Sequence, residues 1–224
     1  METSWLSGVH SHEVSMSGGY VDEVAKWELR RRLTAARRAV PATVREAEAA
    51  ALAVVRLPLR LPGTVCAYWP VGAEPGSPAL LDGLVSRGCR VLLPVVDSPG
   101  VGVAAGSAGS DPEPLDWAEY TGMATLRVGR FGLYEPIEPR LGCTAIATAV
   151  LVLVPALAVD QYGVRLGRGG GYYDRTLPLA APGTPLVAVV RDDEVVASLP
   201  VQPHDVPVSA ALTPRKGLVP LARP

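Results

Sequence analysis

The chain has 224 residues and a net charge of -1, with 48% hydrophobic and 19% charged residues. That apolar fraction supports a sizeable core and excludes a disordered chain, which combines low hydrophobicity with high net charge. The balanced charge argues against a dedicated nucleic-acid binder, and the 22 prolines and 23 glycines follow no collagen-like period.

The opening METSWLSGVHSHEVSMSGGY is polar and has no basic region ahead of an apolar core. It reads as a flexible lead-in over residues 1–21 rather than a secretory signal. No stretch reaches the roughly 20 apolar residues of a bilayer span, so a soluble cytoplasmic protein is expected. From Asp22 the pattern turns helical: Val24, Trp27, Leu29 and Leu33 make an apolar stripe, with Lys26, Arg30, Arg31, Arg37 and Arg38 around it. Lys26 and Lys216 are the only lysines; the arginine bias itself fits a GC-rich genome and carries no function.

Pro41 opens a second helix that Pro58 and Pro62 end. TVCAYWPV reads as a strand, residues 78–87 as a helix and CRVLLPVV as a strand, the unit of a parallel sheet. Residues 97–140 are turn-rich: SPGVGVAAGSAGSDPEP suits a loop or short hairpin, and WAEYTGMATLRVGRFGLYEPIEP places aromatics where they would cover a site. TAVLVLVPALAVD is the candidate central strand, buried on both faces. GVRLGRGGGYYDRTL turns into a helix, PLVAVVRDD is a strand, and VPVSAALT is a last strand. The expected fold is an α/β domain over residues 22–224, an open, mainly parallel sheet flanked by helices with a helical N-terminus. Cys66, Cys89 and Cys143, odd in number and set in apolar surroundings, read as buried reduced thiols.

The strongest chemical signal runs from Gly163 to Arg175. Gly167, Gly169, Gly170 and Gly171 lie between a buried strand and a helix, where glycines permit positive φ and close approach of a ligand. The exposed amides and the helix start form an anion site, to which Arg165 and Arg168 add bidentate phosphate donors. Asp174 can hold magnesium in register with the phosphates. The competing reading, a tight turn with surface arginines, explains less of the arginines, tyrosines and aspartate crowded there. GxxxxGK[ST] is absent, and GxGxxG fails because the third glycine comes one residue early. Asp192 and Asp193 nevertheless stand near the distance of a ribose-binding acid, which keeps a dinucleotide-dependent oxidoreductase as the alternative.

With that loop in view, the chain resembles the 5-formyltetrahydrofolate cyclo-ligase (5,10-methenyltetrahydrofolate synthetase) family from about Asp22 to Leu212. GVRLGRGGGYYDR is close to the family signature. Lys26-x-x-x-Arg30, Glu74 after AYWPVGAE, FGLYEP and His204-Asp205-Val-Pro follow in the family's order. The resemblance implies ATP- and Mg2+-dependent closure of 5-formyltetrahydrofolate to 5,10-methenyltetrahydrofolate. It also implies that Lys26, Arg30 and Arg165 bind ATP with residues Leu166, Gly167, Arg168, Gly169, Gly170, Gly171, Tyr172 and Tyr173. Residues 168–172 would also border the folate, with Glu74 at its pterin end and Trp69 lining the pocket. Arg168 and Tyr173 would act in catalysis, and Asp174 and Asp205 would hold the metal.

Each of these residues has a plainer reading alone. Lys26 and Arg30 suit a solvated helix face, Glu74 a loop acid, and Trp69 and Tyr173 core aromatics. Asp174 suits a helix-start acid, Asp205 a turn residue, and His204 a structural role. The sequence departs from the family at Gly170, where many members have lysine, at Gln202, often glutamate, and at Ser209, an aspartate elsewhere. Those departures leave a non-catalytic folate- or nucleotide-binding homologue as a third reading. No amphipathic seam stands out, so the expectation is a monomer acting on small molecules, with neither nucleic acid nor membrane as partner.

Overall fold

The computed structural model describes residues 14–59, 61–96, 113–129 and 132–222, with side chains from Glu23 onward. The start of the lead-in, the SPGVGVAAGSAGSD loop, and Arg130 and Phe131 ahead of GLYEP lie outside the described residues. Helix α1 (Val14–Ala39) begins ahead of Asp22, and α2 (Ala42–Ala53) follows the extended Pro41. Helix α2 stops short of Pro58, because the consecutive β-branched Val54 and Val55 disfavour a further turn.

Strand β1 (Thr64–Cys66), helix α3 (Pro78–Ser86) and strand β2 (Arg90–Val95) form the expected unit, with β1 and β2 parallel and Val65 beside Val91. Ser77 caps α3 by accepting the Leu80 N–H. The turn-rich middle contains more order than its composition announces. Strand β3 (Asp116–Glu119) pairs antiparallel with β2, and β4 (Leu126–Val128) and β5 (Tyr134–Pro136) form a ribbon. The reason is burial: Trp117 and Ala118 of β3 are fully covered.

Strand β6 (Ala149–Pro155) is central, as expected, with Leu151 to Val154 buried. A small subsheet follows, made of β7 (Ala158–Asp160), β8 (Arg165–Leu166) and, later, β10 (Val195–Val196). The chain then makes the single-turn α4 (Tyr172–Thr176), β9 (Leu186–Val189), β11 (Ala210–Thr213) and β12 (Gly217–Pro220). The main sheet runs β12-β11-β9-β6-β1-β2-β3. Its five inner strands are parallel and both edges antiparallel. Strand β12 goes beyond the expected last strand, and Asp192 holds the turn before it by accepting from the Thr213 hydroxyl and the Arg215 and Lys216 amides.

One face of the sheet packs on α2 and α3 through Leu52, Leu81 and Leu84. The other is covered by Ile146, Leu177 and neighbouring residues. Cys66 and Cys89 are buried, Cys143 is half-buried, and none is disulfide-bonded.

Helix α1 corrects the expected stripe. Val24 and Trp27 face outward, while Lys26, Leu29, Arg30, Leu33 and Arg37 face the protein. Their spacing is helical, but three of the five inward side chains are cationic. Leu29 and Leu33 pack on Leu157, Leu166 and Leu199. Arg37 is buried against Glu194, with contacts of 2.6 Å to both carboxylate oxygens, and also donates to the Ala156 carbonyl. Breaking a buried pair strands the remaining charge. Arg37→Ala is expected to lower the unfolding free energy by about 3–5 kcal/mol in urea titrations; a loss within the ~1 kcal/mol of a surface pair contradicts this account.

Candidate active site

Strands β1 and β6 are neighbours whose outgoing connections run to opposite sides, β1 to β2 and β6 by way of β7, β8 and α4 to β9. Such a switch point opens a crevice beyond the carboxyl ends of the strands. The end of β1 leads to Tyr68, Trp69 and Glu74, and the connection after β6 carries the glycine loop.

The loop is aimed by a buried carboxylate. Asp160 accepts the Tyr162 and Val164 amides through one oxygen and the Leu199 amide through the other, which closes the β7–β8 turn. At Gly163, φ is +86° and a side chain would collide with the Val208 carbonyl, so glycine is required there. Gly169 and Gly171 also have positive φ, whereas Gly167 and Gly170 do not. Gly171 precedes α4, whose single turn offers only a weak helix dipole.

Around this loop the structure brings together the basic residues singled out from sequence, each with a carboxylate. Lys26 is 3% exposed and donates to Asp205 Oδ2 at 2.7 Å. Arg30 donates to Glu23 at 3.1 Å and to the Gly167 carbonyl at 3.2 Å. Arg165 is buried between Asp174, at 2.8 Å, and the Val206 carbonyl, at 2.7 Å. Arg168 is exposed and reaches across the crevice to Glu74 at 3.0 Å, while the other Glu74 oxygen accepts the Val71 amide. Trp69 lies between Tyr120 and Tyr134, at centroid distances of 6.1 and 5.6 Å, so it belongs to an aromatic wall whose outer member is exposed.

Tyr173 has a buried hydroxyl without a hydrogen-bond partner. Burial, reinforced by Glu74 and Cys66 and opposed by Arg165, raises its pKa well above the ordinary 10.0, so the phenol keeps its proton and can only donate a hydrogen bond at neutral pH. A buried orphan donor costs about 1–3 kcal/mol.

Among the described residues no three His, Cys, Asp or Glu side chains form a metal cage. Asp174, a quarter exposed with one oxygen on Arg165, suits a magnesium ion completed by phosphates and water. Asp205 has Oδ2 committed to Lys26 and the Gln202 amide, while Oδ1 has only His204 Nε2 nearby, at 4.0 Å.

Glu23 and Gln202 join this cluster of charges, although neither was assigned a site role from sequence. Gln202 bridges Lys26 and Glu23, and Arg30, followed by Gln202, holds the Glu23 carboxyl below its ordinary pKa. The sequence signals were Glu23 standing seven residues before Arg30, two turns along one helix face, and Gln202 as a departure from the family pattern. His204 is exposed, and Ser209 donates to the Leu186 carbonyl within the sheet. Asp192 closes the β11–β12 turn and Asp193 pairs with Arg191, which leaves the dinucleotide reading without a free acid.

A sequence model of the 5-formyltetrahydrofolate cyclo-ligase family matches residues 22–214. The chain belongs to that family. It is 50% identical over 198 residues to 5-formyltetrahydrofolate cyclo-ligase of Mycolicibacterium smegmatis, covering 88% of this chain and 97% of that one. It is 31% identical to the Escherichia coli K12 cyclo-ligase, over 71% of this chain and 82% of the relative. The solved structure of Aquifex aeolicus 5,10-methenyltetrahydrofolate synthetase superposes with a TM-score of 0.70 at 26% identity, covering 89% and 94% of the two chains. The Mycoplasma pneumoniae synthetase, at 17% identity and a TM-score of 0.61 over 83% and 96% of the two chains, shares the fold. The chain is thus an enzyme of this family, and no helix among its described residues is long and apolar enough to cross a membrane.

Tyr173→Phe removes an unpaired buried hydroxyl. It is expected to leave stability unchanged or raise it by ~1 kcal/mol, while turnover falls. Thermal melts beside steady-state kinetics check this; unchanged turnover contradicts a role for the hydroxyl.

Proposed function

We propose that this enzyme closes 5-formyltetrahydrofolate to 5,10-methenyltetrahydrofolate, with ATP phosphorylating the formyl oxygen and ADP and phosphate released. The reading is supported by one observation: the glycine loop is gripped by cations, with Arg30 on the Gly167 carbonyl, Arg165 paired with Asp174 and Arg168 paired with Glu74, while Lys26 is tied to Arg30 through Gln202 and Glu23.

The formyl group is an amide, and its oxygen cannot leave as hydroxide at a useful rate. Transfer of the γ-phosphoryl group makes that oxygen a leaving group and the carbon an electrophile. The secondary amine of the folate then attacks and gives up its proton to solvent, the C–O bond breaks, and phosphate carries the oxygen away. No covalent protein nucleophile is needed. The protein must align two substrates and neutralise charge on the moving phosphoryl group.

Lys26, Arg30, Arg165 and the amides of residues 166–173 hold the nucleotide in this reading. Glu74 accepts paired N–H donors of the pterin, which requires Arg168 to leave it, and that frees the Arg168 guanidinium for the phosphoryl oxygens. Trp69 packs on a ring of the folate, and the Tyr173 hydroxyl donates to the reacting oxygen. Magnesium, when bound, supplies charge neutralisation at the phosphates; Asp174, with Asp205 Oδ1, would hold it.

Purified enzyme given 5-formyltetrahydrofolate is expected to form the ultraviolet-absorbing methenyl product only when ATP and magnesium are both present. Asp174→Asn is expected to lower kcat/KM by about 100-fold. Lack of product with both present overturns the reaction, and full activity of Asp174→Asn overturns the site.

A further inference from the structure

Lys26 and Arg30 stand one turn apart on α1, and each touches a different part of the chain. Lys26 meets the turn at Gln202–Asp205, and Arg30 meets the Gly167 carbonyl. A continuous path of hydrogen bonds joins the two contacts. Asp205 Oδ2 accepts from Lys26 Nζ at 2.7 Å and from the Gln202 amide at 2.7 Å. Gln202 Oε1 accepts from the same Nζ at 3.1 Å, and its Nε2 donates to Glu23 Oε2 at 3.1 Å. Glu23 Oε1 then accepts from Arg30 at 3.1 Å.

We propose that Gln202, through Glu23, is the positioning residue that sets the spacing and local charge of Lys26 and Arg30 for the phosphates of ATP. The inference rests on the reading that these two cations bind ATP.

Two properties of the amide matter. Only a side chain that both accepts and donates can join an ammonium to a carboxylate. Gln202 with Asp205 uses two of the three Lys26 donors, leaving the third for a phosphate oxygen. Being neutral, Gln202 also leaves Lys26, Arg30, Glu23 and Asp205 summing to zero charge. A carboxylate at position 202 would face Glu23, add a negative charge where the phosphates approach, and compete with them for Lys26.

The test is steady-state kinetics against each substrate, with thermal melts to establish folding. Gln202→Met is expected to raise KM for ATP about tenfold, the scale of a hydrogen bond to a charged group. Both kcat and KM for 5-formyltetrahydrofolate are expected to stay within about twofold. Gln202→Glu is expected to raise KM for ATP as well. Combining it with Glu23→Gln restores the hydrogen-bond pattern and the net charge while leaving a carboxylate on Lys26, so KM for ATP is expected to fall back part of the way toward the parent value.

The positioning role is overturned if Lys26→Met raises KM for ATP while Gln202→Met does not. It is also overturned if the exchanged pair performs no better than Gln202→Glu alone. If Lys26→Met itself leaves KM for ATP unchanged, the assignment of the ATP site falls instead.

Discussion

A lysine buried as deeply as Lys26 must be paired, because an isolated ammonium in a low-dielectric interior is prohibitively costly. Its partner, Asp205, lies 179 residues further along the chain. That one pair therefore ties the N-terminal helix to the turn that follows the last subsheet strand. Arg30 and Arg37 repeat the device at the Gly167 carbonyl and at Glu194. Helix α1 docks through cations as much as through Leu29 and Leu33, and one of those cations, Arg30, also lies on the glycine loop.

The same economy holds at the loop. Arg165 is held by Asp174 and the Val206 carbonyl, and Arg168 rests on Glu74 across the switch point between β1 and β6. Each of these cations is matched by a carboxylate, so the cluster carries little net charge of its own. In the proposed reading, substrate binding exchanges partners instead of burying new charge. The exposed Arg168 is the member most easily exchanged, and the buried Arg165 the least.

Much of this was legible in the sequence where residue type and pattern agreed. The run from Ala149 to Pro155 declared itself the central strand, the strand–helix–strand unit from Thr64 to Val95 followed from its short apolar runs and their order, and Gly167 to Asp174 announced the loop. The inward face of α1 was misread because apolar residues were taken to mark it, and this helix turns Trp27 out and Lys26 in. Local rules fail most where function intervenes. Strand β3 was hidden because four residues between turns carry too little periodicity to separate from a loop. Gln202 and Glu23 were invisible as a pair, since their meeting depends on tertiary packing over 179 residues.

At the centre of the account stands direct phosphorylation of the formyl oxygen by an ATP aligned in this crevice. Labelling the formyl oxygen of 5-formyltetrahydrofolate with 18O and analysing the released phosphate by mass spectrometry tests it most directly. The account predicts one labelled oxygen in the inorganic phosphate for each methenyl product formed. Label appearing in water, with unlabelled phosphate, would contradict it.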